Sequence, residues 1–244
     1  MLESFVIMKL FDTPLQRCSH LGVVWLITQL ITGSAAVAQD THPVTNRKYA
    51  GVMGVGGASW LERSEREDEE APEKALDAIG IREGMVIADV GAGTGYFSRR
   101  MAKRTGPTGK VYAVDIQPEM IRKLRDNAKR EGLTNIVGVV SKENDPMLPE
   151  GAIDLILMVD VYHEFDRPQE MLRKMRAALK PDGRMILLEY RKEDPKVPIR
   201  LEHKMTVEEA KAEVEAEGFR LDKVIASLPR QHILIFAPGP KRVQ

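Results

Sequence analysis

From residue 72 onward the chain alternates short apolar runs with longer segments whose apolar residues recur every three to four positions. The first pattern marks strands buried on both faces, the second amphipathic helices. Pro72 opens a helix over Glu73 to Ile79, because proline at a first helical position gives up no intrahelical hydrogen bond, and Gly80 ends it. Val86 to Val90 reads as a strand, Tyr96 to Arg104 as a helix, Lys110 to Asp115 as a second strand, and Pro118 to Glu131 as a helix closed by Gly132. Ile136 to Val140, Asp154 to Val159 and Met185 to Glu189 continue the strands, with a helix from Arg167 to Leu179. Thr206 with Glu209 is a capping box, and the helix it opens runs to Glu217 before Gly218. Two closing strands, Leu221 to Ser227 and His232 to Ala237, are joined too tightly for a crossover helix, so the last is expected to be antiparallel. The expected class is α/β: a mostly parallel sheet with helices on both faces.

Upstream the pattern changes. Lys9 and Arg17 precede an apolar run from Leu21 to Ile31, and Ala36-Val37-Ala38 fits a signal-peptide cleavage site. Residues 1–38 are expected to be a signal peptide or an N-terminal anchor. The protein would then be periplasmic or secreted, with membrane-anchored and cytoplasmic as alternatives. No stable membrane insertion is expected unless the leader stays uncleaved, since the run is short for a span of ~20 residues. Residues 39–71 form an extension, glycine-rich at first and then strongly acidic from Glu62 to Glu70. The acidic run is either a solvated face or a lid over a ligand, with Arg63 or Arg66 facing a carboxylate. Residues 72–238 form the main domain and 239–244 a tail.

Composition narrows the function. Lys and Arg (36) balance Asp and Glu (36), which is the wrong balance for a protein that must neutralise nucleic-acid phosphates. The neutrality survives removal of the leader, which holds Glu3, Lys9, Asp12 and Arg17. The single cysteine, Cys18, lies in the leader, so neither an internal disulfide nor a multi-thiolate metal site is available. No metal is expected. His163, His203 and His232 could meet in one pocket, but nothing in their spacing places them on one face.

The strongest chemical signal is Asp89-Val90-Gly91-Ala92-Gly93-Thr94-Gly95-Tyr96, between a strand and a helix. Glycines there turn the chain sharply and let a ligand approach the backbone without a Cβ in the way. Asp115 ends the next strand, where a carboxylate can accept from both hydroxyls of a ribose. The spacing is G-x-G-x-G, not the G-x-G-x-x-G of dinucleotide sites, and no Lys-Ser/Thr pair grips a terminal phosphate. The loop suits a nucleoside without a pyrophosphate.

With Val114-Asp115 and the turn Leu179-Lys180-Pro181-Asp182-Gly183, this loop resembles the class I S-adenosylmethionine-dependent methyltransferase family, from about Pro72 to Ala237. Asp182 stands where that family usually has glycine, a mild change in a turn. The motifs are similar to those of quinone-precursor and arsenite methyltransferases, although the cysteines of the latter are missing. The resemblance implies a Rossmann-like seven-stranded sheet with an antiparallel last strand, and S-adenosylmethionine as cofactor. It implies that Gly91, Gly93 and Gly95 pass beside the methionine part, that Asp89 lies near its amino group, directly or through water, and that Asp115 holds the ribose. Ile116 would lie on the adenine, Asp145 (with Glu143 second) would accept from the adenine amino group, and Asp160 would face the sulfonium.

The acceptor is expected to be a small molecule. Asp160-Val161-Tyr162-His163-Glu164-Phe165 follows the fourth strand, where a substrate meets a ligand in an open α/β sheet. His163 could act as a base, Glu164 could orient it, and Tyr162 could stack or donate. For His163 and Tyr162 the competing reading is structural. Glu189-Tyr190-Arg191 and the long segment from Lys192 to Met205 are further candidates. Two other readings stay open: a methyltransferase-like binding protein without catalysis, and an NAD-dependent oxidoreductase, which the glycine spacing disfavours. Export also conflicts with a cofactor made in the cytosol.

Overall fold

The computed structural model describes residues 41–240. The expected leader and cleavage site, and the tail's last four residues, lie outside them. Among the described residues no helix is long and apolar enough to cross a membrane.

Seven strands form one sheet: β1 (Val86–Val90), β2 (Lys110–Asp115), β3 (Ile136–Val140), β4 (Ile153–Val159), β5 (Leu179–Tyr190), β6 (Phe219–Ile225) and β7 (Gln231–Pro238), in the order β3-β2-β1-β4-β5-β7-β6. The first five are mutually parallel, and β7 runs antiparallel to both β5 and β6. The helices are α1 (Arg66–Glu70), α2 (Pro72–Ile79), α3 (Tyr96–Thr105), α4 (Pro118–Arg130), α5 (Pro168–Ala178) and α6 (Val207–Ala216). Every strand and helix expected from residue 72 onward is present, with shifted ends. The largest shift is at β5: the turn from Leu179 to Gly183 is extended and pairs once, Leu179 with Ile153, before a register break.

The apolar runs split by parity, as strand geometry requires. Ala88, Ile156, Leu187 and Leu234 pack with Leu172 and Met175 of α5 and Val214 of α6. Their neighbours Ile87, Leu155, Ile186 and Ile233 face the other way, onto Leu76 of α2 and Met101 of α3. This is why the runs do not alternate in polarity. Strand order reverses between β1 and β4, and the carboxyl ends of the parallel strands there open a crevice where ligands bind in open α/β sheets.

The acidic stretch before α2 is not a plain solvated face. Arg66 and Glu70 are buried against each other, while Glu62 pairs with Arg99 of α3 at 2.8 Å. Glu67 bonds to Tyr96 Oη at 2.7 Å and pairs with Arg100, and Glu73 pairs with Arg104 at 2.6 Å. The acids therefore meet the basic face of α3.

Candidate active site

A cavity of about 880 Å³ opens at the carboxyl ends of β1, β2, β4 and β5. That falls in the range of about 300–1,000 Å³ usual for small-molecule sites. One end is the glycine loop. Gly91 and Ala92 both donate to Val114 O, at 2.8 and 2.9 Å, folding the loop onto β2. Gly91 and Gly93 have φ of +79° and +53°, and both line the cavity. A Cβ at Gly91 would come within 2.4 Å of Val161, and one at Gly93 within 2.6 Å of Leu61, so side chains are excluded by contact as well as by backbone. Asp115 accepts from Gly93 N at 2.8 Å with one oxygen and from Gln117 N at 2.9 Å with the other. Burial raises its pKa. Each oxygen keeps a second lone pair, and Asp115 and Ile116 both line the cavity.

Three expected cofactor residues do not line the cavity. Gly95 lies off the cavity, where a Cβ would strike Leu124 of α4 at 2.7 Å; its glycine serves helix packing. Asp89 is buried beneath the loop and accepts from Ser98 Oγ at 2.5 Å, and burial pushes its carboxyl up to about 6. Asp145 turns back into its own loop, accepting from Met147 N at 2.8 Å and lying 3.6 Å from Lys174. Glu143, the second choice, is the acid of that loop that reaches the cavity wall.

At the other end, β4 runs into Asp160, whose φ of +51° is unusual outside glycine. One of its oxygens accepts from Gln231 Nε2 at 2.6 Å; the other is buried without a hydrogen-bond partner among the described residues. Burial, then Glu70 and Glu189, hold its pKa well above its ordinary value, with Arg66 opposing.

The short turn Tyr162–Glu164 is a 3-10 helix, in which successive side chains diverge by about 120°. It therefore separates the three expected catalytic residues. Tyr162 points into the core, fully buried, edge-on to Phe165 and 5.8 Å from the Arg47 guanidinium. It does not line the cavity, so the structural reading holds for it. His163 and Glu164 do line it. His163 is oriented not by Glu164 but by Glu189, the penultimate residue of β5: Nδ1 lies 2.6 Å from Glu189 Oε2. The other Glu189 oxygen accepts from Tyr162 N at 3.1 Å, locking the acid to the turn. His163 Nε2 meets His203 Nδ1 at 3.2 Å, and His203 lies 4.0 Å from Glu164. Burial raises the Glu164 carboxyl to about 7, and burial followed by His163 lowers the pKa of His203. His232 does not join them: it is buried on β7, off the cavity, with Nε2 unpartnered among the described residues.

Residues before α2 close the cavity wall. Ala50 N donates to His163 O at 3.0 Å, and Gln117 Nε2 donates to Met53 O at 2.9 Å. At and around these anchors Tyr49, Val52, Met53, Trp60 and Leu61 line the space. Sequence reasoning missed the pair that fixes this segment, Arg47 with Glu213 of α6. Glu213 lies three residues after buried Ala210 and beside buried Val214, on the helix's core face. A charge on that face was the available signal.

The sheet order and the nucleoside loop define a class I methyltransferase fold. A family model described as a methyltransferase domain matches residues 81–229, and the chain belongs to this family. Over 113 residues it is 32% identical to a ubiquinone/menaquinone biosynthesis C-methyltransferase, UbiE, from Cupriavidus taiwanensis; the match spans 46% of this chain and 46% of that protein. The chain thus covers about half the length of the relatives it matches. The crystal structure of an S-adenosylmethionine-dependent methyltransferase from Aquifex aeolicus superposes with a TM-score of 0.72 at 28% identity, over 76% of this chain and 98% of that one. A TehB-like S-adenosylmethionine-dependent methyltransferase from Corynebacterium glutamicum shares the fold, with a TM-score of 0.57 at 17% identity over 76% and 98% of the two chains.

Proposed function

We propose that the protein transfers a methyl group from S-adenosylmethionine to a small aromatic acceptor bearing a hydroxyl. The observation that carries this is one cavity that joins the glycine loop and Asp115 to the His163–His203 pair. The residues fit the cofactor. In support, Gly91 and Gly93 bring backbone without side chains to the cavity wall that Asp115, Ile116 and Glu143 also line. The buried, unpartnered oxygen of Asp160 offers a hydrogen-bonding position to a cationic or N–H group. When bound, the cofactor supplies an electrophilic methyl group on a sulfonium.

The protein's own part is to exclude water, to orient and to help the acceptor ionise. Val52, Met53, Trp60, Val161 and Phe165 give an apolar wall suited to a ring. Glu189 holds His163 through Nδ1, so that Nε2 and His203 face the acceptor end and favour loss of a hydroxyl proton there. Ionisation makes a phenolic oxygen, or the ring carbon beside it, nucleophilic. The UbiE likeness supports a ring acceptor of the quinone-precursor kind.

Calorimetry with S-adenosylmethionine and its demethylated product tests the cofactor assignment: micromolar binding is expected, lost in Asp115→Ala. Binding of neither ligand sinks the proposal. Turnover on a panel of phenols and hydroquinones separates an enzyme from a binding protein, and His163→Ala is expected to keep the cofactor while losing turnover. Export by the leader remains part of the reading, and fractionation of cells making the full chain tests it.

A further inference from the structure

We propose that His163, His203 and Glu164 form a divalent-cation site of the zinc type at the acceptor end of the cavity. This rests on the acceptor end assigned above. One ligand atom from each residue lies within 4.8 Å of the other two. His163 Nε2 and His203 Nδ1 are 3.2 Å apart. Two nitrogens each about 2.0–2.1 Å from a tetrahedral ion are separated by about 3.3 Å, so the histidines need almost no movement to share one. Their rings are edge-on, with centroids 5.1 Å apart and planes at 85°, which brings ring nitrogens together rather than stacking the rings.

The surroundings point the same way. With Nδ1 held 2.6 Å from Glu189 Oε2, His163 turns Nε2 towards His203. A carboxylate behind a histidine is the usual way to fix a metal ligand's tautomer and raise its basicity. Glu189 is completely buried and anchored to the backbone of Tyr162, so this support is rigid. His203 comes from the long segment after β5, held by Lys204 Nζ donating to Val197 O at 2.5 Å. The third group, Glu164, supplies an oxygen from the same turn as His163.

The donor set selects the ion. Two imidazoles with one carboxylate suit zinc and its neighbours, whereas magnesium and calcium favour oxygen cages. Three protein ligands leave a fourth position, and all three residues line the cavity. A hydroxyl or water oxygen taken up there is polarised by the cation. Its O–H bond breaks, the electron pair stays on oxygen and the proton passes to solvent. The cation would bring the ionisation of an acceptor hydroxyl towards neutral pH, as it does for bound water.

The test uses the full chain stripped with a chelator and titrated with Co²⁺, read by visible absorption, then with Zn²⁺ in competition. One equivalent of cobalt with the intense band of a tetrahedral site is expected, displaced by zinc. His203→Ala is expected to weaken binding at least 100-fold, and Glu189→Gln by 10- to 100-fold while leaving all three ligands present. Thermal melts check that each variant is folded. Absence of the cobalt band, or zinc held by His203→Ala as tightly as by the parent, overturns the site. Cofactor calorimetry on the stripped protein keeps the two ideas apart: if S-adenosylmethionine binds and turnover persists while no cobalt is taken up, the cation site falls and the methyltransferase reading stands.

Discussion

Arg47 and Arg66 are both buried against glutamates, and the two pairs differ in what lies around them. Arg47 donates to both Glu213 oxygens, at 3.0 and 2.9 Å, and to His163 O at 3.1 Å. Thr45 Oγ1 donates to the same carboxylate at 2.5 Å, and His42 lies 3.5 Å away. Both charges are matched inside the protein, and Thr45, Arg47 and Glu213 do not line the cavity. Arg66 also grips its partner, Glu70, at 2.7–3.0 Å, and donates to Leu61 O at 2.8 Å over the face of Tyr96. This second pair forms cavity wall, and Asp160 beside it keeps an oxygen unpartnered. The first arrangement is closed and holds the turn that carries His163. The second is incomplete and invites a ligand.

The largest effect should come from breaking the closed pair. Arg47→Met leaves Glu213 buried and uncompensated, at an expected cost of about 3–5 kcal/mol in denaturant unfolding. Restoring balance with Arg47→Met/Glu213→Leu should recover much of that loss. A cost below about 1 kcal/mol for the single variant would show that the segment before α2 is not anchored through this pair.

Asp89 sharpens the contrast, because it is a buried acid with a hydroxyl partner and no arginine. Its folded pKa is about 6 against an ordinary 3.8. The folded state therefore holds a proton that the unfolded chain has released, and stability should fall as pH rises from about 4 to about 6. The shift corresponds to about 3 kcal/mol. Other acids, such as Glu62 and Asp154, are shifted downward and act in the opposite sense. The prediction is therefore a difference: Asp89→Asn should remove this slope from the pH–stability curve. Parallel curves for the parent and the variant would refute it.

Asp160 tests the incomplete region. Asparagine tolerates its left-handed backbone and can still accept from Gln231, so Asp160→Asn should leave the melting temperature unchanged or raised. It also removes the capacity for negative charge. Under the proposed function, S-adenosylmethionine affinity should drop by at least tenfold, the scale of one hydrogen bond to a charged group at about 1.5–3 kcal/mol. Calorimetry showing equal affinity would place Asp160 outside the cofactor site.

What the sequence reveals follows the same division. Parity, caps and turn residues are local, so β1 to β7 and the capping box at Thr206 could be read directly. The glycine loop could be read because three glycines within five residues have few other uses. The His163–Glu189 pair could not, since it joins the ends of adjacent parallel strands separated by a helix, and Glu164 was the nearer acid in sequence. That Tyr162 and Asp145 lie off the cavity is hidden for a related reason. In a 3-10 turn or a short loop, neighbouring residues point in different directions, and only packing decides which one meets the cavity.

The smallest effect concerns the platform beneath the closed pair. Thr206 Oγ1 accepts from Glu209 N at 2.9 Å, and Glu209 accepts from Thr206 N at 3.0 Å, capping α6. Glu213 lies further along the same helix. Thr206→Ala should cost about 1 kcal/mol, the usual value of an N-cap. If α6 is a rigid platform, this loss should add to that of Arg47→Met within about 0.5 kcal/mol, as for separate sites without shared partners. A larger coupling would mean that fraying at the cap reaches Glu213. The closed pair would then depend on its helix's first turn, and the hold on His163 would be only as firm as that cap.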